Sequence, residues 1–185
     1  MTAPSVTLTV DALDAMQRAG EAALPRETGG ILTGFRSGDT IVVTRALLVA
    51  DPASTHMNYE LDRERARAVL DAHRRDAPRV IGFVGDWHTH PRDVPPSALD
   101  LVSLARSAAD TTDLVALLVL PFTGTRPGRP YARVAIAGTT RRARRRRPPA
   151  RIHAADLRLT DIPSPAVELE AQDTQDRALS RVEPG

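Results

Sequence analysis

Residues 79–100 read RVIGFVGDWHTHPRDVPPSALD, and this stretch predicts a strand, a loop and the beginning of a helix. The part up to His90 is apolar enough for a largely buried strand. The prolines between Pro91 and Pro96 predict a loop, because proline has no backbone N–H to donate. Ser97 is a favourable N-cap residue, so the helix should begin there.

Strands and helices alternate on both sides of this stretch. In chain order, the patterns predict a strand at 6–10, a helix from Asp11 to about Pro25, strands at 29–35 and 40–50, a helix at 62–75, the strand at 79–90, the helix from Ser97, and strands at 112–122 and 131–138. This order favours an α/β (mixed α+β) fold, in which helices pack against a mixed β-sheet. Residues 1–138 should form one domain, since a length of this order suits a single core.

The composition changes after residue 138. All 25 basic residues of the chain are arginines, and a dense run of them, RRARRRR (141–147), is followed by polar and acidic residues. A segment with so few apolar residues cannot bury enough surface to offset its ordering entropy. We therefore expect residues 139–185 to form an Arg-rich and then acidic tail that is disordered, with a short helix at 165–180 as the alternative.

The composition also excludes several classes of protein. The chain has no cysteine, which excludes disulfide scaffolds, cysteine-ligated metal sites and thiol nucleophiles. No apolar run approaches the roughly 20 residues that span a bilayer, and the N-terminus lacks the pattern of a secretion signal. We therefore expect a cytoplasmic protein without a membrane partner. The arginine run has no interleaved aromatic residues, so specific nucleic-acid binding is not expected either.

Two histidines and an aspartate in the opening stretch predict a metal site. Side chains two residues apart on a strand share a face, so His88 and His90 should present their imidazoles side by side. Asp100 lies near the start of the following helix. Two imidazoles and a carboxylate suit Zn²⁺ and leave one position open for a water, whose pKa on the metal falls towards roughly 7.

A hydrolytic site of this kind also needs a group that moves protons. Glu27, within PRETGG (25–30), precedes a predicted buried strand and is the candidate for this acid/base role. Ser97 has two open interpretations, because its hydroxyl either stabilises the oxyanion of a tetrahedral intermediate or only caps the helix. Asp86 shares the predicted face of His88, where it either orients an imidazole or is exposed at the edge of the site.

Taken together, these residues resemble the JAMM motif of JAB/MPN-domain zinc metalloproteases. The similarity rests on ETGGILTG (27–34), HTHP (88–91) and a Ser-x-x-Asp spacing (97–100), and it extends over about residues 5–138. The resemblance implies an MPN-like fold, which is a curved mixed β-sheet flanked by helices and related to the cytidine-deaminase fold. The implied reaction is hydrolysis of amide or isopeptide bonds at the C-terminus of ubiquitin-like proteins.

The resemblance also implies roles for individual residues. In the family pattern the two histidines and the aspartate bind zinc, which corresponds here to His88, His90 and Asp100. The acid/base glutamate corresponds to Glu27, and the serine of the motif to Ser97. One departure is the loop before this serine, which has six residues where the usual motif has seven. Because the spacing from serine to aspartate is kept, we expect the helix register to survive.

The motifs leave more than one function open. They are similar to those of compact bacterial JAB proteins that occur with E1- and E2-like enzymes, including enzymes of antiviral signalling systems, and whose implied task is to remove a conjugated protein. A second bacterial branch processes the C-terminus of ubiquitin-like sulfur carriers. The alternatives from other functional classes are a non-catalytic MPN scaffold and a binding module that uses the basic tail.

Overall fold

The protein is described by a computed structural model that covers residues 3–137 and 150–161. Its elements are, in chain order, β1 (Ser5–Thr9), α1 (Val10–Ala23), β2 (Gly29–Ser37), β3 (Thr40–Leu48), α2 (Arg63–Asp76), β4 (Gly82–His90), α3 (Ala98–Thr111), β5 (Leu114–Thr123), β6 (Arg126–Pro127), β7 (Tyr131–Ala137), β8 (Ala150–Ala154) and β9 (Asp156–Thr160). The predicted alternation of strands and helices up to residue 137 is confirmed.

The strands of the described residues form one nine-stranded mixed sheet. Its order is β8-β7-β5-β4-β2-β3-β1-β9, and the short β6 pairs with β5. In the middle, β4 pairs with β5 in parallel and with β2 in the antiparallel sense. The predicted fold class, a curled mixed sheet flanked by helices, is therefore confirmed.

Helices cover both faces of the sheet. On one face, Met16 of α1 packs in the main apolar cluster with Trp87 of β4 and Leu118 of β5. On the other face, Leu104 of α3 packs in a second cluster with Val119 of β5. Successive side chains of β5 thus enter opposite clusters, which explains why its sequence is an unbroken apolar run.

The expectation of disorder after residue 138 is wrong for residues 150–160. β8 pairs with β7, and β9 pairs in parallel with β1 at the opposite end of the strand order. Leu157 of β9 is buried in the main cluster together with Val6. A strand at the edge of a sheet is held by backbone hydrogen bonds to its neighbour and by the side chains on its one buried face. A few apolar residues are therefore enough to order such a strand, whereas an independent domain would need many. Residues 138–149 and 162–185, including the alternative helix at 165–180, lie outside the described residues.

Each helix of the described residues begins directly after a residue whose side chain caps it. Thr9 caps α1, so this helix begins at Val10 and the predicted cap, Asp11, lies in its first turn. Asp62 caps α2, and Ser97 caps α3 as predicted. Within the described residues, no helix combines the length and the apolar character needed to cross a membrane.

Candidate metal centre

The C-terminal end of β4 carries two imidazoles that nearly touch. His88 and His90 point to the same face of the strand, and their Nε2 atoms lie 3.1 Å apart. Both side chains are buried. β4 lies between β2 and β5 in the sheet, so pairing on both sides fixes the backbone that carries the two rings.

Asp100 brings a carboxylate to these imidazoles from the first turn of α3. Its Oδ1 lies 3.4 Å from Nε2 of His88, and its Oδ2 lies 3.6 Å from Nε2 of His90. Burial alone would raise the pKa of Asp100, but the adjacent imidazoles of His88 and His90 outweigh this and hold the pKa well below its usual range. The carboxylate is therefore ionised and available as a ligand at neutral pH.

Ser97 and Asp100 form a reciprocal capping box at the start of α3. The backbone N–H of Ser97 donates to Oδ2 of Asp100 at 2.6 Å, and the backbone N–H of Asp100 donates to Oγ of Ser97 at 3.2 Å. The capping interpretation of Ser97 therefore describes its observed contacts. The side chain also lines the cavity of the site, where its hydroxyl hydrogen can point toward a ligand.

The six-residue loop from Pro91 to Pro96 is held by two contacts at its middle residues. Nδ1 of His90 lies 3.0 Å from the carbonyl oxygen of Val94, and the hydroxyl of Tyr131 donates to Asp93 at 3.0 Å. Because a carbonyl oxygen only accepts, Nδ1 of His90 is the protonated nitrogen and Nε2 keeps its lone pair for the metal position. The shortened loop thus delivers Asp100 to the imidazoles, as expected from the retained spacing.

The three ligand candidates fit a tetrahedral metal ion. One ligand atom from each of His88, His90 and Asp100 lies within 4.8 Å of the other two. The two Nε2 atoms lie 3.1 Å apart, and two different oxygens of Asp100 lie 3.4 Å from Nε2 of His88 and 3.6 Å from Nε2 of His90. Ligands about 2.0–2.1 Å from a tetrahedral zinc lie roughly 3.3 Å from one another. The described residues therefore offer a cluster that is compatible with a metal ion.

Glu27 lies beside this cluster at the start of β2. Its backbone N–H donates to the carbonyl oxygen of Thr55 at 2.7 Å. Thr28 and Thr89 are joined by two hydrogen bonds, of 3.0 Å to the Thr89 hydroxyl and 2.8 Å between the backbones, and these tie the Glu27 segment to β4. Burial raises the pKa of Glu27, although the neighbouring imidazoles oppose the shift. A carboxylate with a raised pKa is well suited to take up and release a proton.

Tyr59 is a residue of the site that the sequence did not reveal. Its ring is stacked 6.4 Å from the ring of His88, and its hydroxyl donates to the carbonyl oxygen of Val49 at 2.8 Å. A Cβ at Gly29 would lie 2.6 Å from the Tyr59 ring and 2.8 Å from Cβ of His88, so glycine is required there by close approach. The available signal was the single aromatic residue among residues 51–62.

A cavity of about 690 Å³ joins these residues. Glu27, His88, His90, Ser97 and Asp100 all line it. Its rim carries the exposed apolar side chains of residues 57, 94 and 99. The structure therefore brings all five predicted site residues to one cavity.

Asp86 also lines this cavity, and its contacts fit neither of the two open interpretations. Its hydrogen-bond partner is the hydroxyl of Ser107 on α3, which donates to Oδ2 at 3.2 Å. Burial raises the pKa of Asp86 to about 6, against the opposing effects of Ser107 and Arg63. The side chain is partly buried at a polar contact with α3.

The remaining histidines are placed apart from the ligand cluster. His56 is exposed at the cavity, where its charge lowers the pKa of Glu27. His73 on α2 lies 3.2 Å from the hydroxyl of Thr33, and His153 is exposed on β8.

Comparisons with known proteins agree with these features. The model of the prokaryotic homologs of the JAB domain matches residues 9–147. A probable metalloprotease y4qB of Sinorhizobium fredii is 34% identical over 67 residues, which are 35% of this chain and 41% of that protein. Two proteins named CD-NTase/cGAS isopeptidase are 29% identical over 99 residues in Escherichia coli and 31% identical over 102 residues in Vibrio cholerae. These matches cover 50% and 52% of this chain.

The chain spans less than two thirds of the length of these relatives, at 41%, 61% and 63%. Among solved structures, it is similar to the solution structure of protein DSY2949 from Desulfitobacterium hafniense, with a TM-score of 0.55 and 24% identity. That similarity covers 85% of this chain and 94% of the other. At this identity it supports the fold alone.

Proposed function

Because the chain belongs to the prokaryotic JAB-domain family, we propose that it is a zinc-dependent isopeptidase that cleaves amide or isopeptide bonds at the C-terminus of a ubiquitin-like protein. The observation that carries this proposal is the set of three ligand candidates, His88, His90 and Asp100, in one cavity with the buried carboxylate of Glu27. A non-catalytic scaffold has no need of this combination.

The chain's own residues divide the chemistry between them. His88, His90 and Asp100 would hold the zinc, which when bound would act as a Lewis acid on the scissile carbonyl and would lower the pKa of an attacking water. Glu27 accepts a proton at its carboxylate from the attacking water and gives it to the leaving amine. Its raised pKa favours this exchange, because the carboxylate holds the proton until the amine can take it.

Ser97 is assigned a part in this reaction beside its role as a cap. Its Oγ accepts one hydrogen bond from the backbone of Asp100, and its hydroxyl hydrogen stays available. In the proposal this hydrogen is donated to the oxyanion that forms when the carbonyl carbon becomes tetrahedral. Pairing with Asp100 fixes the position of Oγ in advance of the reaction.

The proposed substrate is a folded ubiquitin-like protein with an extended C-terminal tail. The open cavity and its apolar rim, residues 57, 94 and 99, suit a chain that is threaded toward the ligand cluster. Two relatives are named isopeptidases, which favours removal of a conjugated protein over processing of a sulfur carrier. The proposed partners are accordingly E1- and E2-like enzymes, and the proposed site of action is the cytoplasm.

Cleavage of a ubiquitin-like protein that carries a C-terminal extension tests this proposal. The zinc-loaded wild type should release the extension, a chelator should abolish cleavage, and added Zn²⁺ should restore it. Glu27→Gln should lose activity and keep its zinc, as measured by elemental analysis after dialysis. Glu21→Gln is the matched control, because it makes the same change on an exposed position of α1. Undiminished cleavage by Glu27→Gln, or in excess chelator, contradicts the proposal.

A further inference from the structure

The substrate cavity contains a second polar feature at Asp86, away from the ligand cluster. Asp86 lies on β4 two residues before His88 and shares its face of the strand. Its Oδ2 accepts a hydrogen bond from Ser107, whereas its Oδ1 is buried and has no hydrogen-bond partner among the described residues. Asp86 therefore keeps unused acceptor capacity in the wall of the cavity.

The contacts that the described residues make with Asp86 leave part of its hydrogen-bonding capacity unused. A carboxylate offers about four lone-pair sites, and Ser107 uses one of them. An unpaired buried acceptor destabilises the folded state. Arg63 lines the same cavity, but its guanidinium is paired with Asp110 at 3.0 Å. A donor from a bound molecule would complete the hydrogen bonding of Asp86.

The shape of the cavity indicates which part of a substrate passes Asp86. In the proposed reaction Glu27 protonates the leaving amine, so the leaving group lies at the start of β2. The acyl part must extend the other way, toward β5 and α3, where Leu117 and Ser107 line the cavity. At about 3.3 Å per residue, Asp86 lies roughly 7 Å from His88 along β4, a distance that an extended chain covers in about two residues.

On the basis of the function proposed above, we propose that Asp86 is a specificity-determining residue that accepts a hydrogen bond from the backbone N–H of the substrate residue two positions before the scissile bond. The second side-chain torsion of aspartate is soft, so a small rotation turns Oδ1 toward the cavity. A neutral N–H suits this site better than a cationic side chain, because the guanidinium of Arg63 lines the same cavity and would repel a second cation.

A double-mutant cycle between the enzyme and its substrate tests this contact. The probe is a pentapeptide aminomethylcoumarin amide with the five residues that precede the scissile bond in the ubiquitin-like precursor that the wild type cleaves. A matched probe has an ester oxygen in place of the N–H two residues before the scissile bond. The wild type should lose roughly 10- to 100-fold in kcat/KM on the ester probe, mainly through KM, since hydrogen bonds to charged groups are strong. Asp86→Ala should lose a similar factor on the amide probe and less than about 3-fold further on the ester.

Ser107→Ala is the matched control, because it removes the hydrogen bond to Oδ2 and leaves the Asp86 carboxylate in place. This variant should keep the full ester penalty. Equal ester penalties in the wild type and in Asp86→Ala overturn the inference and leave the proposed function standing. If the zinc-loaded wild type cleaves neither the precursor nor the amide probe, the proposed function fails, and this inference fails with it.

A binding measurement makes the same comparison without turnover. Fluorescein-labelled product peptides, with the amide or the ester at the same position, are titrated against zinc-loaded Glu27→Gln protein and followed by fluorescence anisotropy. The amide peptide should bind roughly 10- to 100-fold more tightly than the ester, and Asp86→Ala added to this background should remove the difference. An unchanged difference contradicts a contact at Asp86. Circular dichroism melts of each variant verify that it is folded.

Discussion

At the scale of single residues, Asp100 uses one carboxylate for two purposes. It accepts the backbone N–H of Ser97 and completes the cap of α3, while the same two oxygens face the imidazoles of His88 and His90. A negative charge near a helix N-terminus is also favourable. The start of α3 and the candidate metal site therefore share one carboxylate, so a substitution that alters the cap of α3 should also alter the ligand cluster.

Ser97→Ala should separate the capping role of Ser97 from its catalytic role. Loss of the cap should lower the free energy of unfolding by about 1 kcal/mol, and loss of an oxyanion donor should lower kcat at saturating zinc by roughly 10²- to 10³-fold. Urea unfolding and steady-state kinetics measure the two effects. Asp62→Ala is the matched control, because it removes the cap of α2 and should leave kcat unchanged. A Ser97→Ala enzyme with wild-type kcat would restrict Ser97 to capping.

The burial of Asp86 should make the stability of the protein depend on pH. Burial raises its pKa to about 6 in the folded state, above the value near 3.9 of an unfolded chain. The unfolded state therefore loses this proton first, and stability falls as the pH rises from about 4 to 6. Asp86→Asn should be more stable than the wild type at pH 7, by on the order of 1–3 kcal/mol, and the gain should vanish near pH 4.

Urea unfolding of both proteins between pH 4 and pH 8 measures this difference. Asp71→Asn, an exposed position on α2, should show no comparable gain. An Asp86→Asn protein with the same pH dependence as the wild type would show that burial of this carboxylate carries no cost. The expected gain in stability would accompany a loss of substrate binding, a pattern typical of functional sites.

At the scale of the elements, β4 with the loop after it and the start of α3 could be predicted because their signals are local. An apolar run, clustered prolines and a capping serine lie within residues 79–100, and the structure follows them closely. The contacts of Tyr59 and Asp86 could not be predicted, since they join elements that are distant in sequence. β8 and β9 were missed because they follow the arginine run in a segment that is polar as a whole, and because β9 pairs with β1 at the other end of the chain.

β9 carries two leucines that differ in burial, and comparing them tests the contribution of this strand to stability. Leu157 is 7% exposed and packs in the main cluster, whereas Leu159 is 55% exposed. Leu157→Ala should lower the free energy of unfolding by about 2–4 kcal/mol, and Leu159→Ala by less than about 0.5 kcal/mol. Urea unfolding at pH 7 measures both. If both variants lower the free energy of unfolding by the same small amount, Leu157 of β9 does not pack in the core in solution.

At the scale of the whole molecule, the metal should couple the site to global stability. The ligands come from β4 and α3, so an ion that binds only the folded protein stabilises it by mass action. At a zinc concentration 1,000 times Kd the gain is about 4 kcal/mol. Calorimetry should thus show a higher Tm with zinc than with chelator in the wild type, and no zinc dependence in His88→Ala. A wild-type Tm that chelation leaves unchanged would contradict a metal at these residues.

The parallel pairing of β1 with β9 also has a consequence for the order of events during synthesis. Ser5 pairs with Asp156, so these partners leave the ribosome about 150 residues apart, which at 5–20 residues per second takes roughly 8–30 s. During this interval the outer edge of β1 has no β9 to pair with, while Glu27 and all three ligand candidates have already been made. Contacts of such long sequence separation form late. The candidate centre can therefore assemble on the nascent chain before β9 pairs with the edge of the sheet.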